Sequence, residues 1–187
     1  AAPEQGPPPA KRLAYLRRAA AHAGRAWRSE RSEHLWREHA ALASGADRGE
    51  SLVRAGTVAM HAGRLREALP LMEEGLALIR AEGDRIFECR VLGMLVQLHR
   101  DAGRYDRALE CGEAGLALHR EFDRPHFKGL FLTYLGTVYC GLGRLEEAEI
   151  ACRDSLALIR GSGGGRGEGD ALGTLALLAV LLVVLVG

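Results

Sequence analysis

The chain repeats itself every 40 residues, and no other feature limits its fold as strongly. A Gly-Arg pair stands at Gly63-Arg64, Gly103-Arg104 and Gly143-Arg144. Leu52, Leu92, Leu132 and Leu172 keep the same step, as do Ala68, Ala108 and Ala148. The run Leu-Ala-Leu recurs at 76–78, 116–118 and 156–158, followed each time by Arg80, Arg120 or Arg160. A fixed period of this size marks an array of similar supersecondary units. One such unit cannot bury its apolar face alone, whereas stacked units can.

Each unit reads as two helices. The first covers about Glu50 to His61, Arg90 to Ala102 and Leu130 to Leu142, with apolar residues such as Leu92, Leu95 and Leu98 on one face. A glycine that can take the left-handed conformation then ends it. The second starts near Leu65, Tyr105 or Leu145 and runs to Arg80, Arg120 or Arg160. Acidic residues crowd its start and a basic residue closes it, which suits the helix dipole. Ala68, Ala108 and Ala148 fall where two antiparallel helices approach closely. Aromatic residues are only 5% of the chain, so the core is aliphatic and a β-sandwich is disfavoured.

The predicted organisation follows. Residues 1–10 carry Pro3, Pro7, Pro8 and Pro9 and read as a disordered leader without a secretory signal. Residues 11–49 read as an irregular basic helix pair turning at Gly24-Arg25, with Trp27, Leu35, Trp36 and Leu42 in its second helix. Repeats are expected at 50–89, 90–129 and 130–169, the third ending in the Gly-rich turn GSGGGRGEG at 161–169. Residues 170–187 read as the apolar first helix of a partial fourth repeat, with Leu172 and Leu175 in register. That segment has no charge after Asp170, so burial, truncation and membrane insertion all remain open for it.

The third unit carries Leu132, Leu135-Gly136, Tyr139, Gly143, Leu145, Ala148 and Ser155-Leu156. On these residues the chain resembles the tetratricopeptide repeat family. The second unit offers Leu92, Leu95, Gly103, Tyr105, Ala108 and Gly115-Leu116, and the first Leu52, Gly56, Gly63, Leu65, Ala68 and Gly75-Leu76. Val96 stands where the pattern has glycine, and Gly112 and Cys152 where it has an aromatic residue. The resemblance implies an all-α, right-handed superhelical solenoid of antiparallel helix pairs. The 40-residue form is similar to arrays in bacterial signalling ATPases and transcriptional regulators. Such arrays bind a peptide or partner domain along the first helices. Carried over, the groove positions are Val53, Thr57, Met60 and His61, then Arg90, Gln97, Arg100 and Asp101, then Thr133, Thr137 and Cys140. Thr57, His61, Arg90, Gln97, Arg100, Thr133 and Thr137 are the candidate partner-binding residues among them. Arg90 and Arg100 suit a carboxylate or an acidic segment, and Gln97, Thr133 and Thr137 an extended peptide.

Motifs for chemistry are missing from the sequence. His34, Glu38 and His39 lack the i, i+4 spacing of zinc ligation from one helix, so both histidines are expected at the surface. The Gly-rich run at 161–169 fits neither a dinucleotide nor a phosphate loop, and no nucleophile elbow occurs. His99, at a family tyrosine position, is expected to pack rather than catalyse. Cys89, Cys111, Cys140 and Cys152 form no C-x-x-C pair and read as reduced thiols. Lys11 to Glu38 holds eight basic and three acidic residues, a footprint for an acidic partner or a solvated capping face. The net charge of +1 over the chain disfavours nucleic acid. The sequence thus predicts a non-catalytic, cytoplasmic scaffold without cofactor or metal. Its partner is a protein or peptide, with self-association or membrane tethering through 171–187 as further readings. A regulatory segment of a larger signalling ATPase or transcriptional regulator is the alternative.

Overall fold

The computed structural model describes residues 9–122, 125–161 and 166–186. Among them are nine helices and no strand: α1 (Pro9–Arg25), α2 (Ser29–Leu42), α3 (Gly45–His61), α4 (Leu65–Glu82), α5 (Arg85–Asp101), α6 (Tyr105–Phe122), α7 (Pro125–Gly141), α8 (Leu145–Gly161) and α9 (Arg166–Val186). Residues 1–91 and 92–187 form two compact units that divide within α5.

The Gly-Arg signature is a helix C-cap. Gly63 has φ +75°, its N–H bonds Met60 O at 2.9 Å, and the Arg64 N–H reaches Ala59 O at 2.9 Å. Gly103 and Gly143 repeat this geometry at φ +71° and +73°. The left-handed residue closes two carbonyls of the last turn and sends the chain straight into the next helix. The arginine then looks backward. Arg64 bonds the buried Glu33 of α2, which Arg37 also holds at 2.9 Å. In the other unit Arg144 instead bonds Glu147 at the start of α8 and stacks over Tyr139 at 4.7 Å, with Glu113, two periods after Glu33, only in its wider field.

The alanines lie where expected. Ala68, Ala108 and Ala148 are wholly buried. α3 meets α4 through Gly49, Gly56 and Gly75: a Cβ on Gly75 would stand 2.9 Å from Gly49 O and 2.7 Å from Val53 Cγ2. The α7–α8 pair solves the same crossing with hydroxyls. Ser155 replaces Gly75 and Thr133 replaces Val53; their hydroxyls lie 2.6 Å apart, and Ser155 also donates to Gly129 O at 2.7 Å. Gly112 stands where the family has an aromatic residue because Leu135 of α7 occupies that space, and Gly115 likewise admits the Phe131 ring.

Several boundaries differ from the sequence reading. The first helices begin at Gly45, Arg85 and Pro125, so cuts at 50, 90 and 130 fall inside them. In α5 the reason is local: Gly83, at φ +75°, ends α4, and Asp84 Oδ1 caps the Phe87 N–H at 2.9 Å. The α1–α2 turn lies at Trp27-Arg28, not at Gly24-Arg25, and Trp27 is not helical. Trp27 itself takes the left-handed conformation, φ +58°, with its N–H on Gly24 O and the Arg28 N–H on Ala23 O. α8 continues to Gly161 and α9 starts at Arg166, so the expected Gly-rich turn is shorter, and its residues 162–165 lie outside the described residues. Residues 1–8 of the expected leader also lie outside them, while Pro9 and Ala10 open α1.

α9 packs on α7 and α8 through Ala171, Thr174 and Leu178. Leu172, expected in the buried register, is 43% exposed, and Leu177 and Val180 are exposed with it. Among the described residues no helix is long and apolar enough to cross a membrane.

Candidate functional site

Within residues 92–187, the first helices α5 and α7 lie side by side, and a Cβ on Gly93 would touch the rings of Tyr134 and Phe131. Their shared edge carries a polar cluster. The Arg100 guanidinium donates to Asp101 Oδ1 from Nε at 2.9 Å and from Nη2 at 2.7 Å. Its Nη1 donates to Thr137 Oγ1 at 3.0 Å. The Thr137 hydroxyl in turn donates to Tyr134 O at 2.7 Å. The fork is thus oriented on two sides while its side chain stays 30% exposed. A guanidinium has five N–H donors, and three are engaged here, so the remainder stay available to a carbonyl or carboxylate. Gln97 lies one turn before Arg100 and is half-buried. Three of the candidate residues, Gln97, Arg100 and Thr137, therefore share one edge.

Thr133 does not belong with them. It is 1% exposed, and its hydroxyl bonds Gly129 O and Ser155 inside the α7–α8 crossing. The 40-residue column containing it explains this: Val53 and Gly93 are its equivalents and both are buried. Val53, also carried over to the groove, is 2% exposed against Gly75. The next polar column, Thr57, Gln97 and Thr137, is half-buried at every position and is the one that reaches the surface.

Within residues 1–91, Thr57 donates to Val53 O at 2.8 Å and His61 is exposed in the last turn of α3. Arg90 is exposed on α5 and lies over the Phe87 ring at 5.5 Å. Its neighbour Glu88 is buried and held by Arg80 at 2.6 Å and Arg85 at 2.9 Å. Met60 and Cys140 are half-buried.

His39 is a correction. It is 3% exposed rather than at the surface, its Nδ1 lies 2.8 Å from Ser51 Oγ, and its ring packs edge-on to Trp36. Burial, then Arg17, lowers its pKa. His34 is exposed as expected, and His99 is buried at 1%. The four cysteines are free thiols, with Cys89 and Cys152 buried. Burial, with Cys140 nearby, pushes the Cys152 thiol up to about 11, so it is not poised as a nucleophile at neutral pH. Burial and Glu88 raise Cys89, and burial raises Cys140. Among the described residues no group of three or more His, Cys, Asp or Glu is arranged to hold a metal.

Two family models described as tetratricopeptide repeat match the chain, one over residues 47–121 and one over 131–160. Together they span more than half of it. The chain belongs to the tetratricopeptide repeat family. No curated protein matches the chain. Similar solved structures are the apo form of RapI (15% identity, TM-score 0.79) and a putative kinesin light chain with nearly identical TPR-like repeats from Podosopora anserina (16%, 0.73). A third is NprR in complex with its cognate peptide NprX (17%, 0.69). These matches cover 91%, 89% and 95% of this repeat chain, and 49%, 84% and 53% of the other chains. The tetratricopeptide repeat chain therefore spans about half the length of RapI and of NprR. At such identities the likeness establishes the fold: an all-α TPR-like solenoid of antiparallel helix pairs.

Proposed function

We propose that this tetratricopeptide repeat chain is a non-catalytic interaction scaffold that binds a peptide or partner domain along its first helices. The carrying observation is the Arg100–Asp101–Thr137 cluster, which joins α5 to α7 and leaves a pre-oriented guanidinium at the surface. A preorganised donor loses less entropy on capture than a free side chain, so this edge suits an extended backbone or a carboxylate. Gln97 extends the same edge, and Arg90, Thr57 and His61 are further contacts in the same reading. The likeness to NprR, solved with its cognate peptide, supports peptide recognition by this architecture. A regulatory segment of a larger signalling protein is the second reading, favoured by the half-length cover of RapI and NprR.

The test is selection of peptides from a random displayed library on the immobilised chain, followed by anisotropy titration. Arg100→Glu is expected to weaken the selected peptides about tenfold, the loss of one charge-assisted contact. Peptides that bind the Arg100→Glu chain unchanged would refute the assignment.

A further inference from the structure

The basic surplus of α1 and α2 has no role in the first-helix reading, and three of its unpaired arginines lie beside a cavity at one place. Along the pair three cations are held, Arg12 with Glu38 at 2.8 Å, Arg17 with Asp47 and Glu50, and Arg37 with Glu33, while Lys11 and Arg18 on α1 have no ion-pair partner among the described residues. The other three lie at the hairpin end. Among the described residues Arg25, Arg28 and Arg31 have no ion-pair partner, and all three are exposed. A cavity of about 300 Å³ opens there, lined by Tyr15, Ala19, His22, Ala23, Arg28 and Arg31. Alanine methyls line it beside two guanidinium groups, an imidazole and a phenol, and no carboxylate faces it. A space of that size, at the low end for ligand pockets, accommodates one or two side chains of a partner.

Trp27 is the second, independent observation. It fills the left-handed position that Gly63, Gly103 and Gly143 fill in the other turns, and its side chain is 93% exposed. A bulky residue at positive φ is strained, and an indole in water gains nothing from the fold. Trp27 has no ring contact among the described residues. Tyr15, on the cavity wall, is 63% exposed. Exposed Trp and Tyr beside free arginines is the composition of an interface centre.

We propose that this hairpin end is a docking site for an acidic segment of a partner protein, distinct from the α5–α7 edge. A carboxylate side chain enters the cavity between Arg28 and Arg31, and an apolar neighbour lies on Trp27. A protein segment is favoured over nucleic acid because the chain carries a net charge of only +1 and the cavity between Arg28 and Arg31 admits only one or two side chains.

The experiment titrates the full chain with a fluorescein-labelled octapeptide of glutamate. An octapeptide of glutamine and a labelled octathymidylate run in parallel. Saturable binding of the glutamate peptide is expected, weakening as NaCl rises. The R28E/R31E double variant should lose at least about tenfold and W27G about threefold. Emission from the exposed Trp27 should shift on saturation, and W27G, which retains the buried Trp36, should lose that shift. Absence of saturable binding, unchanged binding by R28E/R31E or by W27G, or equal or tighter binding of octathymidylate would overturn the proposal.

Discussion

Replacing Gly75 by alanine separates helix propensity from helix contact. Alanine at an interior helical site normally gains about 1 kcal/mol over glycine. At Gly75 the added Cβ lies 2.7 Å from Val53 Cγ2, 2.9 Å from Gly49 O and 3.2 Å from the Val53 N. Two of those three atoms are backbone, so no rotamer change clears them and α3 must move off α4. Overpacking of this kind costs about 1–3 kcal/mol, which exceeds the propensity gain at most of its range. A net loss of up to about 2 kcal/mol is expected, or up to roughly 8 °C in Tm for a chain of this size. Gly173→Ala is the control, since a Cβ there meets nothing within 4 Å. It should gain up to about 1 kcal/mol. The α7–α8 pair suggests the rescue, because Thr133 and Ser155 occupy the positions of Val53 and Gly75 and bond each other. Val53→Thr combined with Gly75→Ser should therefore be more stable than the sum of the two singles by about 1 kcal/mol. Thermal and urea unfolding followed by circular dichroism measure all five variants. If Gly75→Ala stabilises as Gly173→Ala does, the glycine-mediated contact of α3 with α4 does not exist.

Other consequences follow from single groups. His39 is buried with a lowered pKa, so its neutral form belongs to the folded state, and the unfolded chain binds more protons below about 6.5. Stability should hold above that pH and fall as pH drops through it toward the folded value. His39→Gln should flatten the Tm-against-pH curve between about pH 7 and 5. Trp27→Gly should raise stability by about 1 kcal/mol by relieving the left-handed strain, readable as a higher Tm. Cys152, at about 11, has about one thiolate in a thousand at pH 8, so iodoacetamide should label it slowly in the folded chain and quickly in urea.

The fold was legible because its turns demand glycine. A left-handed residue after each first helix is cheapest as glycine, so Gly63, Gly103 and Gly143 mark the hairpins in the sequence itself. Trp27 breaks that rule and hides the first turn, and the nearby Gly24-Arg25 imitates the signature in the wrong place. The second helices were equally readable from Ala68, Ala108 and Ala148. Side-chain direction was less so. Thr133 looks like a groove residue by composition, but its column contains Val53 and Gly93, a pattern that identifies a buried crossing.

The same comparison explains why binding surfaces resist sequence reading in an array of this kind. Packing repeats, because every pair must bury a similar face, and repetition makes it visible. A binding edge has no such obligation. Arg100 has Met60 and Cys140 as its equivalents, so the cluster with Asp101 and Thr137 exists once and no periodicity announces it. Trp27 and the free arginines beside it are likewise singular. In a repeat chain, then, polar residues that depart from their column at a half-exposed position are the better guide to recognition. By that criterion Arg100 ranks above Thr57, whose column is polar throughout and whose hydroxyl bonds the carbonyl one turn back.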